Sequence, residues 1–174
     1  MTQVLRIDGE TLVFPIIGHP IAQVKSPAAL SQIMAARGFN GMVVPAQILP
    51  RDLAGWLAQA HAMQNCRGIV VTVPHKTACL EFCARATARA RASGAVNIMI
   101  RDGGGWIGDA TDGQGYLDGI AAEGFDVAGK PALLVGAGGA GAAIAYEILA
   151  RGATELALQR FEDLWVDASS PAAK

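Results

Sequence analysis

The sequence predicts an α/β fold, in which a mostly parallel sheet with flanking helices is followed by one further strand-helix-strand unit. Short β-branched runs alternate with longer stretches of helical periodicity, which is typical of βαβ units. Residues 68–73 are almost continuously apolar, as in a strand covered on both faces. Hydrophobic residues make up 52% and charged residues 17% of the 174-residue chain, so a globular core is expected.

Glycine and proline separate the elements of the first part of the chain. Strands are predicted at residues 11–17, 42–48 and 68–73, and helices at 26–37, 51–63 and 77–92. Gly38 and Gly94 end the first and third helices, and Pro50 begins the second. Two short strands, 96–100 and 106–108, flank a glycine-rich turn and predict a hairpin. A helix at 112–122 then carries Asp112 in its first turn.

The second part begins with an apolar run at 132–135, the turn Gly136-Ala137-Gly138-Gly139-Ala140-Gly141 and a helix at 142–151. This is the context in which a G-x-G-x-x-G turn binds a dinucleotide, since the glycines let the backbone approach a pyrophosphate at the positive helix end. The predicted organisation is a substrate-binding domain at 1–111, a connecting helix and linker at 112–130, a Rossmann unit at 131–160 and an irregular tail at 161–174.

Charge and cysteine content exclude several classes of partner. The net charge of −1 gives no reason to expect nucleic acid or an anionic membrane surface. Neither a secretory signal nor a run of about 20 apolar residues is present, so no membrane span is expected. Three cysteines without an export signal indicate reduced thiols and a cytoplasmic protein.

A metal site is considered and set aside. Cys79 and Cys83 would share one face of the predicted helix at 77–92, with His75 as the only nearby histidine. Buried thiols explain this pattern better than a metal does, so no metal is predicted.

Three motifs that carry polar residues lie at the ends of predicted strands or just past them, and the carboxyl ends of strands are where open α/β sheets bind their ligands. They are Thr72-Val73-Pro74-His75-Lys76, Gly94-Ala95-Val96-Asn97 and Asp109-Ala110-Thr111-Asp112-Gly113. Lys76 and Asp112 could form an acid/base pair, and Thr72 and Asn97 suit a polyol. Simpler interpretations stay open: Lys76 as a solvated first-turn residue, Asp112 as a helix cap and His75 as a packing or capping residue.

The order of these motifs resembles the shikimate dehydrogenase family, including its quinate-using members. The resemblance also rests on Gly18-His19-Pro20-Ile21 and Lys25-Ser26-Pro27, and it spans roughly residues 12–158. It implies reversible NADP-linked oxidation of a ring hydroxyl, shikimate to 3-dehydroshikimate, with NAD as a possible substitute. By similarity Lys76 and Asp112 are the catalytic pair, while Ser26, Thr72 and Asn97 bind substrate. The resemblance assigns the cofactor to Gly136, Gly138, Gly139, Gly141 and Arg160.

The chain departs from the family pattern at four positions. Val24 stands where the family commonly has a serine that grips the substrate carboxylate, Ile98 where it often has threonine, and Ala110 where it often has asparagine. Phe161 removes a hydroxyl beside Arg160. A less hydroxylated or differently substituted cyclic acid is therefore expected alongside shikimate, and quinate is the alternative substrate.

The loss of pattern near residues 159–163 predicts a truncation or a shifted reading frame. An unfinished sheet would leave an unpaired edge, which favours a homodimer. A competing hypothesis of another class follows: a non-catalytic remnant that binds only a small cyclic carboxylate.

Overall fold

The computed structural model describes residues 7–159, and these fall into two compact units. The first unit comprises the residues up to Thr87 together with Val96–Asp109, and the second comprises Ala88–Ala95 together with the residues from Ala110 onward. The predicted Arg160 and the predicted tail at 161–174 lie outside the described residues.

A six-stranded sheet forms the first unit. Its strands are β1 (Leu12–Gly18), β2 (Gly41–Gln47), β3 (Gly68–Val71), β4 (Cys83–Ala86), β5 (Ile98–Asp102) and β6 (Gly105–Asp109). Their order across the sheet is β2-β1-β3-β5-β6-β4. Strand β1 runs parallel to β2 and β3, and β4 runs parallel to β6, whereas β5 is antiparallel to β3 and β6. The predicted α/β fold with a mostly parallel sheet is confirmed.

The described part of the first unit contains three helices, of which the first two have the boundaries that Gly38 and Pro50 predict. They are α1 (Ser26–Ala36), α2 (Leu53–Ala62), which a 3-10 turn at Pro50–Asp52 precedes, and α3 (Lys76–Glu81). Ile17 on β1, Ile69 on β3 and Met99 on β5 are almost fully buried. Gly68–Val71, the first four residues of the apolar run at 68–73, thus form a strand inside the core, as the composition predicts, whereas Val73 lies beyond the strand and is exposed.

The predicted helix at 77–92 is wrong. The segment instead forms α3, then β4, and then the separate helix α4 (Ala88–Ser93) of the second unit. Strand β4 pairs with β6, and the pair packs closely at Gly108, where a Cβ would lie 2.6 Å from the Sγ atom of Cys83. An ion pair between Arg85 and Asp102 lies on the same part of the sheet. Tertiary pairing therefore overrides an alanine-rich helical pattern.

The second unit contains α4, α5 (Asp112–Ala122), β7 (Pro131–Val135), α6 (Gly139–Ala150) and β8 (Glu155–Gln159). Strands β7 and β8 are parallel and paired from Pro131 with Glu155 to Val135 with Gln159. Helix α6 packs against α4 and α5. The predicted strand-helix-strand unit is thus present.

Among residues 7–159, no helix is long and apolar enough to cross a membrane.

Candidate functional site

The ends of β1 and β3 approach closely at Gly18. A Cβ on Gly18 would lie 2.5 Å from Cγ2 of Thr72 and 2.9 Å from the carbonyl oxygen of Val73. The amide of Thr72 donates to the carbonyl of Ile17 at 2.9 Å, which continues the parallel ladder by one residue. Thr72, a predicted substrate residue, is therefore held at the carboxyl end of the sheet, where ligands bind in such folds.

A buried histidine fixes the turn between β3 and α3. His75 is 1% exposed, and its Nε2 lies 2.8 Å from the carbonyl oxygen of Ile48. Since a carbonyl only accepts, Nε2 carries the proton and donates. The interpretation of His75 as a packing residue is confirmed, whereas its alternative role as a side-chain cap is not, because it makes no cap hydrogen bond.

Lys76 is the first residue of α3, and its backbone is tied to the segment that carries Asn97. The carbonyl of Lys76 accepts from the amide of Val96 at 2.9 Å, and the carbonyl of Asn97 accepts from the amide of Val71 at 2.8 Å. The amide of Asn97 in turn donates to Asp109 at 2.9 Å. Thr72, Lys76 and Asn97 thus belong to three adjoining segments at one end of the sheet, and all three are half-buried.

Ser26 begins α1 in the same unit and is also half-buried. The loop before it is turned on itself, since the amide of Val24 donates to the carbonyl of Ile21 at 3.2 Å. The Nε2 of Gln23 donates to the carbonyl of Pro20 at 2.8 Å. Val24 closes this turn and Lys25 follows it, and both residues line a cavity of about 500 Å³.

Asp112 and the glycine turn lie in the second unit. Asp112 is the first residue of α5, and Thr111 occupies the position before it. A carboxylate there is favoured by the positive end of the helix. Its predicted pairing with Lys76, which belongs to the first unit, stays a prediction.

The residues of the glycine turn fit a dinucleotide pyrophosphate. Gly136 has φ +100°, a conformation that favours glycine, and a Cβ on Gly141 would lie 2.1 Å from the carbonyl oxygen of Gly136. Gly138 differs, because its backbone is extended and a Cβ there would meet no described atom within 4 Å. The fold therefore does not require glycine at 138, whereas the close approach of a phosphate would. Gly138 caps the twelve-residue helix α6 without a side chain, and Gly139 begins that helix, which leaves the first-turn N–H groups able to take an anion.

The cysteines do not form the helical pair that the sequence suggests, because α3 ends at Glu81 and Cys83 lies on β4. Burial raises the pKa of Cys79 to about 12 and that of Cys83 to about 11. Burial also raises the pKa of Cys66. Such thiols stay protonated and unreactive at neutral pH. Within the described part of the chain, no group of three or more metal-ligating side chains comes together.

Sequence reasoning missed the contact at Gly18 and the anchoring of His75 by Ile48. Gly18 does stand in a recognised motif, but only its neighbours in space explain why glycine is needed there. His75 gave no signal in the sequence, since its partner is a backbone carbonyl 27 residues away.

Polar side chains at the carboxyl end of a sheet, followed by a Rossmann-type glycine turn, are typical of nucleotide-binding α/β proteins. Residues 16–99 match the family model of the shikimate dehydrogenase substrate binding domain. The shikimate dehydrogenase (NADP(+)) of Rubrobacter xylanophilus is 39% identical over 152 residues, which cover 87% of this chain and 53% of that protein.

Solved structures of related proteins are also similar to this chain. The shikimate 5-dehydrogenase of Listeria monocytogenes, in complex with shikimate and NAD, gives a TM-score of 0.83 at 30% identity and covers 89% of this chain and 53% of that chain. The ligand-free 5-ketofructose reductase of Gluconobacter sp. strain CHM43 gives 0.78 at 29% identity, covering 85% of this chain and 56% of that chain. Residues 16–99 of the chain belong to the shikimate dehydrogenase family. The chain spans about half the length of the curated relatives that it matches.

Proposed function

We propose that this chain supplies the substrate-binding part and the first dinucleotide-binding unit of an NADP-linked dehydrogenase. The reaction is reversible oxidation of shikimate to 3-dehydroshikimate, or of a related cyclic hydroxy acid. The observation that carries the proposal is the set of backbone hydrogen bonds that links the segments of Thr72, Lys76 and Asn97, at 2.8–2.9 Å. Binding a polyol ring requires several polar side chains on one side of the ring, and the linked segments carry three of them.

Lys76 acts as the acid/base group in this proposal. In the oxidation direction its neutral amine accepts the proton of the reacting hydroxyl, and in the reduction direction its ammonium returns that proton. Asp112 hydrogen-bonds the substrate in this proposal and holds Lys76 in place. Thr72 and Asn97 bind ring hydroxyls, and Ser26 binds the carboxylate.

Gly136, Gly138, Gly139 and Gly141 would hold the pyrophosphate of NADP, with NAD as the alternative, and Arg160 would contact the additional phosphate. The bound nicotinamide supplies an acceptor for the hydride that leaves the substrate carbon. Support comes from the space at Gly138 and from the NADP(+)-linked and NAD-bound relatives. We further propose a cytoplasmic protein that self-associates as a homodimer.

Two alternatives have specific support. Quinate or another polyol replaces shikimate if Val24, Ile98 and Ala110 set the specificity. The similarity to a structure of a 5-ketofructose reductase supports this alternative, because proteins of this fold then act on more than one substrate. A non-catalytic module that binds a cyclic carboxylate is the alternative of another class, and it would need only the first unit, in which Ser26, Thr72 and Asn97 lie.

The test follows nicotinamide absorbance during incubation of the full chain with NADP and shikimate, and then quinate. We expect turnover that falls at least about 100-fold in Lys76→Ala, the scale of a lost acid/base group. Lys130→Ala, which alters an exposed lysine of the linker, is the matched control and keeps wild-type turnover. A folded wild-type chain without turnover that still binds shikimate would instead establish the binding-module alternative.

A further inference from the structure

The chain leaves the first unit after Thr87 and again after Asp109, and these two residues are hydrogen-bonded to each other. The hydroxyl of Thr87 donates to Oδ1 of Asp109 at 2.6 Å, and both residues are half-buried. The amide of Thr87 also donates to the carbonyl of Gly108 at 3.0 Å. The last two residues of β6 are therefore both tied to the residue that follows β4.

The hydroxyl of Thr87 lengthens an irregular contact between the two strands. Strand β4 is the outermost strand of the sheet, and its register with β6 shifts between Cys83 and Arg85. The pairing ends at Ala86 with Gly108, one residue short of Asp109. A hydroxyl that donates to a carboxylate at such a short distance forms one of the stronger hydrogen bonds in proteins, so it fixes the end of β6 where the ladder stops.

Asp109 in turn holds Asn97, one of the residues proposed to bind substrate. The carbonyl of Asp109 accepts from the amide of Asn97 at 2.9 Å, and Asp109 is paired with Ile98 in the antiparallel ladder of β5 and β6. The carbonyl of Asn97 accepts from the amide of Val71 at 2.8 Å. The backbone of Asn97 is thus fixed between β3 and the end of β6, and a displacement of that end would move Asn97.

We propose that Thr87 and Asp109 are positioning residues for Asn97. Their hydroxyl–carboxylate bond fixes the end of β6, and the end of β6 fixes the residue whose side chain binds a ring hydroxyl of the substrate. The inference rests on the proposed function, because it takes Asn97 as a substrate residue. It does not depend on a bound cofactor, since all three residues belong to the first unit.

Two variants of Thr87 test the proposal in the full chain. Thr87→Val keeps the shape of the side chain and removes the hydroxyl, whereas Thr87→Ser keeps the hydroxyl. The quantities measured are the exchange rate of the Asn97 amide hydrogen, by NMR, and the dissociation constants of shikimate and quinate, by isothermal titration. We expect Thr87→Val to raise all of them about tenfold, the scale of one lost hydrogen bond, and Thr87→Ser to keep them within twofold of wild type.

Thr11→Val is the matched control. Thr11 lies in the same unit just before β1, is 5% exposed and donates its hydroxyl to Oδ1 of Asn40 at 2.8 Å, so its replacement also removes a hydroxyl hydrogen bond. It lies at the amino end of β1, and it should leave the exchange of the Asn97 amide and both dissociation constants within twofold of wild type. A tenfold rise in Thr11→Val as well would show that Asn97 responds to any loss of stability, which would overturn the inference.

Asp109→Asn is a second variant in case Thr87→Val does not fold. The amide oxygen of the new side chain can still accept from Thr87 but carries no charge, so exchange of the Asn97 amide should rise about threefold. An Asn97 amide that exchanges as in wild type in the folded variants would overturn the inference and leave the proposed function intact. A folded wild-type chain that binds neither shikimate nor quinate would overturn the proposed function and the inference together.

Discussion

Two glycines of the turn at 136–141 differ in what a side chain at their position would meet. At Gly141 the obstacle is the protein itself, since a Cβ would overlap the carbonyl oxygen of Gly136 at 2.1 Å. At Gly138 nothing described lies within 4 Å, and the extended backbone suits any residue. A substitution at Gly141 should therefore affect folding, and a substitution at Gly138 should affect ligand binding.

Alanine at these positions should have opposite effects. Gly141→Ala should lower the free energy of unfolding by about 1–3 kcal/mol, the usual cost of overpacking. Gly138→Ala should change stability by less than about 1 kcal/mol and yet weaken NADP binding at least tenfold, because the new methyl group takes the space of a phosphate oxygen. Urea denaturation and fluorescence titration with NADP measure the two effects. Unchanged NADP affinity in Gly138→Ala would remove that residue from the cofactor site.

Cys79 gives the stability a pH dependence at alkaline pH. Burial, and secondarily the neighbouring Cys83, raises its pKa from 9.0 to about 12. Between these values the folded state keeps a proton that the unfolded state has lost. The contribution of Cys79 is therefore fully present below pH 9 and is lost as the pH rises from 9 toward 12.

Cys79→Ala should accordingly be less stable than wild type at pH 8, since it removes a buried group, but should lose less stability between pH 8 and pH 10.5. Other groups titrate in this range, so the comparison between the two proteins isolates the thiol. Guanidinium denaturation in reducing buffer at both pH values provides the measurement. Parallel losses in the two proteins would show that the Cys79 thiol titrates alike in the folded and unfolded states.

At the scale of elements, α5 and α6 pack closely at Gly113. A Cβ on Gly113 would lie 2.1 Å from the carbonyl oxygen of Ala143. Further along the pair, Arg151 of the second unit donates to Asp118 at 2.6 Å and to Glu147 at 2.9 Å. The residue next to Asp112 thus fixes α5 on the helix that follows the glycine turn.

Gly113→Ala and Gly115→Ala form a matched pair within α5. Both replace a helical glycine, which by itself stabilises by about 0.5–1 kcal/mol. Only the first meets backbone, since a Cβ on Gly115 has open space around it. We expect Gly113→Ala to lower the melting temperature by several degrees and Gly115→Ala to leave it equal or higher, as thermal unfolding followed by circular dichroism would show. Equal melting temperatures of the two variants would mean that the close packing of Gly113 against Ala143 contributes nothing to stability.

Local sequence signals predict most elements but not the sheet partners of β4. Asp112–Ala122 is predicted to the residue, because an acid in the first turn and a glycine after the last turn mark both ends. The segment at 77–92 fails, because its alanines and arginines favour a helix while Gly108, more than 20 residues later, admits Cys83 beside β6. Periodicity carries no information about such a distant contact.

Some features of the candidate site are likewise predictable from the sequence, and others are not. Thr72 and Lys76 follow β3 in the sequence, so their position at the carboxyl end of the sheet is predictable from strand direction alone. Asn97 precedes β5 and reaches the same end because β5 is antiparallel to β3, which the sequence does not predict. The anchoring of His75 to Ile48 and the cavity at Val24 depend on loops whose course no local pattern specifies. The catalytic pairing of Lys76 with Asp112 joins residues of different units and stays a prediction.

At the scale of the whole molecule, the buried apolar residues are divided unequally. In the first unit Ile17, Ile69 and Val71 are at most 1% exposed. In the second unit the strands β7 and β8 leave Leu133 68% and Leu158 58% exposed. Parallel strands are normally covered on both faces, so the second sheet lacks much of the burial that usually stabilises it.

Hydrogen–deuterium exchange should therefore protect the two sheets to different degrees. Peptides that cover β1 and β3 should exchange at least tenfold more slowly than peptides that cover β7 and β8. All four strands are parallel and hydrogen-bonded, so this difference reports burial and local stability. Equal protection at high protein concentration that is lost on dilution would reveal a homodimer that covers β7 and β8. Equal protection at every concentration would contradict the inference that the exposed face weakens the second sheet.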